Sequence, residues 1–248
     1  MLTVVQNDLN RPTPGQLVEA FAAVPGLSAA DARWAARYSR GIIVENVPDE
    51  DGRALVDALA RLGLEAAAIA PAEIPGLPPA KRCNYLECGA QALVFRDALQ
   101  RGTAVPWDQV ALVAVGAVGV LKEHIIKQVE DVRLSNQFVE RKRVVDRTER
   151  RPGTRNLLEL HFRPAGTRLQ LDEETMLFTS LGARRQPQRR DNFIIMVRDL
   201  TTQATQAALN RGAAAMAEGA VDPDSYLNLL TFEREIRWLL WWTSARKT

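Results

Sequence analysis

The sequence predicts an α+β protein, and three observations predict it. Residues 1–80 alternate short apolar runs with Ala/Leu-rich stretches of helical period, in the order β-α-α-β-α-β. Residues 83–200 hold β-branched and aromatic runs separated by turn residues. A final helical segment carries Trp238, Trp241 and Trp242, three of the five tryptophans in 248 residues. The expected division is 1–80 for the first unit and 83–248 for a β-rich unit with a charged insertion at 122–153 and closing helices.

Leu2–Gln6 reads as a strand. Pro12 and Pro14 fall where a helix begins, and Leu17, Ala20, Phe21 and Val24 share one helical face. Pro25-Gly26 stops that helix, and Ser28 with Asp31 caps a second. Ile42-Ile43-Val44 is a short buried-strand signal. Asp49-Glu50-Asp51 sits at the start of a third helix, where acidic residues suit the positive end of the dipole. That explains the cluster better than a metal or acid–base site. Leu55, Ala58, Leu59 and Leu62 form its stripe, Gly63 ends it, and Leu64–Ala70 is the next strand. Pro71, Pro75, Pro78 and Pro79 mark an extended connection.

In the second unit Cys83–Glu87, Ala92–Ala98 and Val110–Val118 read as strands. Asn156–Phe162 and Thr167–Leu171 read as a hairpin around Pro164-Ala165-Gly166, followed by a strand at Met176–Leu181 and a closing helix over Asn192–Leu200. Gly116 and Gly119 lack the Lys-Ser/Thr of a phosphate loop and fit a close-packed strand. The terminal helix is expected at about Asp224–Thr243, with Leu229, Phe232, Ile236, Leu239 and Leu240 as its apolar stripe. The three tryptophans widen it. Docked, they complete the core; left open, they form a homodimer or partner interface, because Trp concentrates in binding hot spots.

Two family resemblances follow. The pattern Ala54-Leu55…Leu59…Leu62-Gly63…Ala66 resembles ferredoxin-like regulatory modules, which implies a two-layer sandwich. A Cys-x-x-Cys loop and a Gly-rich loop after the first strand are absent, so neither role carries over. Leu93-Val94-Phe95-Arg96-Asp97 followed by Val105-Pro106-Trp107-Asp108-Gln109-Val110 is similar to the cadence of bacterial pleckstrin-homology-like barrels over residues 83–205. That implies an antiparallel barrel or meander with a closing helix. Together the halves resemble uncharacterised bacterial proteins that join two such modules.

Composition excludes whole-chain disorder, since 46% of residues are hydrophobic and 25% charged. The net charge of +2 hides an asymmetry. Residues 1–120 hold 10 basic and 13 acidic residues (net −3), and residues 121–248 hold 22 and 17 (net +5). The longest apolar run, Val110 to Leu121, falls short of the roughly 20 residues a membrane helix needs. Met1–Asp8 has neither the basic nor the apolar region of a signal peptide. Two cysteines do not make a disulfide scaffold. A cytoplasmic, bacterial-type protein is the expectation.

The chemistry-bearing residues do not converge in sequence. Cys83, Cys88, His124 and His161 lack zinc-site spacing, so no metal and no cofactor is expected. Ser180 is not in a nucleophile elbow. His161, between Leu160 and Phe162, is expected on the solvent side of a strand. No catalytic residue is assigned. The candidate anion- or partner-binding residues are Arg141, Lys142, Arg143, Arg150 and Arg151 in the insertion, expected to be a solvated connector, and Arg184, Arg185, Arg189 and Arg190 in a predicted loop. The candidate partner interface is Trp238, Trp241 and Trp242. The expected function is a non-catalytic binding or regulatory module for a protein or an anionic ligand. The alternatives are an enzyme built around His161 or Asp172-Glu173-Glu174, and a nucleic-acid-binding protein using the two Arg clusters.

Overall fold

The computed structural model describes residues 1–9, 12–97, 99, 101–133, 140–164 and 166–246, with the backbone alone for 124, 125, 127–133 and 140–146. The chain begins β1 (Leu2–Gln6), α1 (Pro14–Ala22), α2 (Ala29–Tyr38), β2 (Ile42–Val47), α3 (Asp49–Arg61) and β3 (Ala66–Ile69). Local chemistry sets these bounds. Thr13 and Gln16 form a capping box at α1, with Pro14 in its first turn, and Ser28 and Asp31 form another at α2. Asp49, Glu50 and Asp51 occupy the first turn of α3.

The strands align as β2-β1-β3, with β1 central and antiparallel to both neighbours. Two helices between β1 and β2 return the chain beside its start, and α3 carries it across to the far edge. Side chains alternate between the faces. Val4 and Ile43 pack with Leu17, Phe21, Leu55 and Leu59 of the helices. Val5, Ile42 and Ile69 point the other way, into a different core.

After a short 3-10 turn at Pro71–Glu73 come β4 (Lys81–Arg82), β5 (Tyr85–Cys88), β6 (Ala92–Arg96), β7 (Gly102–Pro106), β8 (Val110–Arg133), β9 (Glu140–Phe162) and β10 (Arg168–Asp172). The chain finishes with α4 (Arg189–Gln203), β11 (Ala208–Leu209), α5 (Arg211–Ala217), β12 (Ser225–Tyr226) and α6 (Leu229–Ala245). β5, β6 and β7 form a meander. The main sheet runs β11-β8-β9-β10-β4, with β12 also paired to β8. Among the described residues no closed barrel forms, and the class is α+β.

The main sheet is buried on both faces. Val113, Val115, Leu158, Leu160, Phe162, Leu169 and Leu171 pack against Phe193, Met196, Val197 and Leu200 of α4 and against Leu86, Leu93 and Phe95 of the meander. On the reverse face Leu112, Ala114, Val118 and Leu157 meet Phe232, Ile236 and Leu239 of α6. The same helix covers Val5, Ile42 and Ile69 of the first sheet. Helix α6 is thus a layer shared by two sheets.

Close approach to α6 requires glycine at two positions. A Cβ on Gly41, whose φ is +83°, would lie 1.9 Å from the Trp238 ring. A Cβ on Gly116 would lie 2.9 Å from the Phe232 ring of α6 and 2.5 Å from the Tyr226 ring of β12. Trp238 donates from Nε1 to the Gln6 carbonyl at 2.8 Å, and Gln6 Oε1 accepts from Gly41 N at 3.0 Å.

Several expectations are corrected. The described parts of the expected 122–153 insertion are not a connector: residues 122–133 extend β8 and residues 140–153 extend β9, in a ladder unbroken from Leu112↔His161 to Arg133↔Glu140, and residues 134–139 lie outside the described residues. Charged residues with no apolar alternation hide such a strand from a periodicity argument. Cys83 lies between two strands rather than inside one, and Met176–Leu181 gives a bridge at Leu177 and a 3-10 turn at Thr179–Arg184. Arg189 and Arg190 open α4 instead of lying in a loop. No described helix is long and apolar enough to cross a membrane.

Gly41→Ala forces the Trp238 ring aside in a packed core and imposes a left-handed φ on alanine. We expect a loss of about 2–4 kcal/mol in urea unfolding followed by tryptophan fluorescence. An unchanged midpoint would contradict the packing described.

Candidate functional site

The residues assigned from sequence fall into three environments. Trp238 is 1% and Trp241 8% exposed, so these two fill the layer between the sheets and are corrected from interface to core. Trp242 is half-buried, donates to the Asn7 carbonyl at 3.2 Å and carries Arg246 over its ring at 4.2 Å. Burial wins because the face of α6 is already committed to two sheets.

The second arginine cluster is largely spent inside the molecule. Arg184 makes a two-armed ion pair with Asp199, at 2.9 and 2.5 Å. Arg189 donates to the carbonyls of Glu173 and Met176 and lies 5.3 Å over the Phe178 ring. Arg190 bridges Glu173 at 3.2 Å and Asp222 at 2.8 Å. Arg185 is exposed. Arg189 and Arg190 therefore staple the start of α4 to its surroundings, and Arg184 ties its later turns to the preceding 3-10 turn.

The first cluster lies on the β8–β9 ribbon. Arg150 pairs with Glu123 at 3.0 Å and Arg151 with Glu149 at 3.1 Å, both exposed. Arg141, Lys142 and Arg143 stand opposite Val132, Asp131 and Glu130 in the ladder. At the ribbon base, Lys122 pairs with Glu174, and Arg155 reaches Asp172 at 3.5 Å and Glu174 at 4.0 Å. The Asp172-Glu173-Glu174 triplet is thus the acidic hub of an ion-pair network with Lys122, Arg155 and Arg190. A hollow of about 630 Å³ opens there, lined by Lys122, Glu123, Arg150, Arg155 and Glu174.

His161 is corrected from solvent-facing to buried, at 4% exposure. It alternates correctly with Leu160 and Phe162, but the face it shares with Glu159 is covered. Glu159 is fully buried and held by Arg168 through two bonds of 2.8 and 2.7 Å, with Gln170 donating at 2.7 Å. Arg168 also reaches Glu233 of α6 at 2.5 Å. Burial alone would raise the Glu159 carboxyl. The neighbouring His161, Arg168 and Gln170 outweigh it and hold the group below the usual carboxylate range. Of these, Arg168 is the firm partner: His161 Nε2 stands 3.5 Å from Glu159 Oε2 and forms no hydrogen bond. His161 pairs with Arg168 while Leu157 pairs with Asp172, which puts His161 and Asp172 four ladder positions, about 13 Å, apart. The proposed histidine and acidic triplet are therefore not brought together.

A second buried polar group lies further along the same helix-covered face of the sheet. Asn210 caps α5 through Ala213 N and exchanges two bonds with the Val115 backbone, at 2.9 and 3.0 Å. Its amide reaches Tyr226 Oη at 3.1 Å and Glu235 at 3.3 Å, and Tyr226 donates to Glu235. Burial pushes the Glu235 carboxyl up, against the pull of Tyr226 and Asn210. The apolar stripe of α6 conceals this acid in sequence, because Glu235 lies beside Phe232 and Leu239 on the same face.

The two cysteines act separately. Cys83 Sγ donates to the carbonyls of Tyr85 and Arg96, and burial raises its thiol. Cys88 contacts Met196 Sδ at 3.8 Å, and burial, with Asp199 nearby, pushes it up to about 12. Such thiols are poor nucleophiles at neutral pH. Among the described residues no group of three or more His, Cys, Asp or Glu could hold a metal ion.

Replacing Arg168 by Leu strands the Glu159 charge. We expect a loss of about 3–5 kcal/mol in chemical denaturation, with most of it recovered in the double variant Arg168→Leu/Glu159→Leu. Glu235 behaves oppositely. Its folded-state carboxyl titrates above the unfolded one, so its contribution to stability falls as pH rises between the two values. Glu235→Gln should equal wild type at pH below the usual carboxyl range and exceed it in Tm at neutral pH. A constant difference across pH would refute this.

Compared with protein-family models, curated proteins and solved structures, the chain matches none of them.

Proposed function

We propose that this chain is a non-catalytic binding module that captures an acidic protein segment on the β8–β9 ribbon. The carrying observation is the distribution of charge on that ribbon. Beyond Val118 no strand among the described residues pairs with the outer edge of β8, and β10 leaves β9 at Leu157. From Gly119 to Arg133 the two strands pair only with each other among the described residues. At 3.4 Å per residue this is a two-stranded arm of roughly 50 Å.

Residues opposed in an antiparallel ladder share a face. One face carries positions Lys122, Glu130, Arg141, Arg143, Arg147, Glu149 and Arg151, five basic against two acidic. The other carries Glu123, Lys127, Asp131, Arg133, Glu140, Lys142, Asp146 and Arg150, four against four. By ladder position the balanced face sets unlike residues opposite one another, at Glu123↔Arg150, Lys127↔Asp146, Asp131↔Lys142 and Arg133↔Glu140. All the surplus positive charge falls on the first face. A basic face flanked by open strand edges suits an extended acidic segment, held by main-chain bonds and oriented by charge.

The likeness to ferredoxin-like and pleckstrin-homology-like modules belongs to the same reading. The two-layer packing of the first sheet on its helices supports the former, and the β5–β7 meander closed by α4 supports the latter. We also place the protein in the cytoplasm, a reading supported by two cysteines that remain unbridged. A second reading has one specific support: a two-stranded ribbon fits the major groove of duplex DNA.

Fluorescence anisotropy with an alternating Glu-Val octapeptide and with a short DNA duplex separates these readings. We expect saturable, salt-sensitive peptide binding that falls by at least about tenfold in Arg147→Glu/Arg151→Glu, with no binding of the matching Lys-Val peptide. Tight duplex binding without peptide binding would favour the second reading. Absence of both would overturn the proposal.

A further inference from the structure

The C-terminal end of α2 and the chain leading into α6 enclose a hollow of about 290 Å³, lined by Arg37, Tyr38, Arg40, Ser225, Tyr226 and Thr231. Arg40 is only 9% exposed. Its Nη1 donates to the Ser39 carbonyl at 3.2 Å and its Nη2 to the Ser225 carbonyl at 3.4 Å. Its Nε has no hydrogen-bond partner, and the neighbouring Asp224 carboxylate stands 4.0 Å away. The group also lies 5.8 Å over the Tyr226 ring. A guanidinium buried this far without a bonded carboxylate is under-compensated. Its planar fork matches two oxygens of one oxyanion.

A second guanidinium stands at the rim. Arg37 is exposed, lies 5.4 Å over the Tyr38 ring and makes no ion pair among the described residues. Two arginines against the single Asp224 carboxylate leave the hollow positive. The rest of its wall is aromatic, hydroxylic or, at Leu227, aliphatic.

We propose that this hollow binds a small phosphate monoester bearing an apolar or planar group. The phosphate lies between Arg37 and Arg40, and the organic part rests against Tyr38 and Tyr226. This site is independent of the ribbon. It also joins distant parts of the chain, because Arg40 and Ser225 are 185 positions apart. A bound ligand therefore fastens the end of α2 to the approach of α6.

The test is isothermal titration of the full chain with phenyl phosphate, with inorganic phosphate and phenol as separate arms, alongside thermal unfolding. We expect one saturable site, a raised Tm with phenyl phosphate, weaker binding of inorganic phosphate and none of phenol. Arg37 lies on the surface, so Arg37→Glu keeps the fold and should weaken phenyl phosphate by at least about tenfold. Arg40→Lys keeps the charge but loses the fork and should weaken it comparably. No heat and no Tm change at roughly 10 mM phenyl phosphate, weaker than any specific site would show, would overturn the proposal. So would equal affinity in wild type and Arg37→Glu.

Discussion

Helix α6 is the constraint on which the rest of the molecule depends. It is the only described helix packed against both the β2-β1-β3 sheet and the main sheet. Trp238 sits on Gly41 so closely that no other residue fits there without movement. The polar flanks are tied as well as the apolar face. Arg234 and Arg237 both reach Glu45 of β2, at 3.2 and 3.5 Å, and Arg237 donates to the Pro75 carbonyl. Arg234 also lies 4.7 Å over the Trp34 ring of α2. Removing α6 would uncover apolar surface on two sheets at once, a larger loss than for a helix on a single face.

Two acids share the layer beside this helix and are handled differently. Glu159 keeps its charge because Arg168 meets it with two parallel bonds and carries on to Glu233 of α6. Glu235 has hydroxyl and amide partners and no guanidinium bond, so burial favours its neutral form. Each group is satisfied within the fold, and each links a strand to the helix above it. Buried polarity in this protein fixes the relative setting of α6 and the sheets.

Much of the first unit was legible in its sequence. Pro14, Ser28 and Asp49 mark helix starts through local chemistry, and Leu17, Phe21, Leu55 and Leu59 mark faces by spacing alone. The closing helix α4 and the close-packed Gly116 were legible for the same reason. The ribbon was not. Its two strands are defined by each other, and ladder partners such as Glu123 and Arg150 lie up to about thirty positions apart, outside any local window. Exposure also misled at His161, Trp238 and Trp241. Alternation names a face but cannot say what covers it, and here a helix more than seventy residues downstream does. Arg37 and Arg40 carried no motif; their significance comes from Ser225 and Tyr226, which only the tertiary fold brings near.

The bond between Trp238 and Gln6 spans 232 positions. Val5, Ile42 and Ile69 therefore emerge from the ribosome long before their cover exists. Until residues 232–241 have been synthesised and docked, the early sheet presents a bare oily flank. Nascent chains of this kind are prone to sticking to one another, and a holding chaperone has a defined patch to shield. Completion of the early sheet waits on a segment made more than 200 positions later, so translation speed through the intervening strands bears directly on yield.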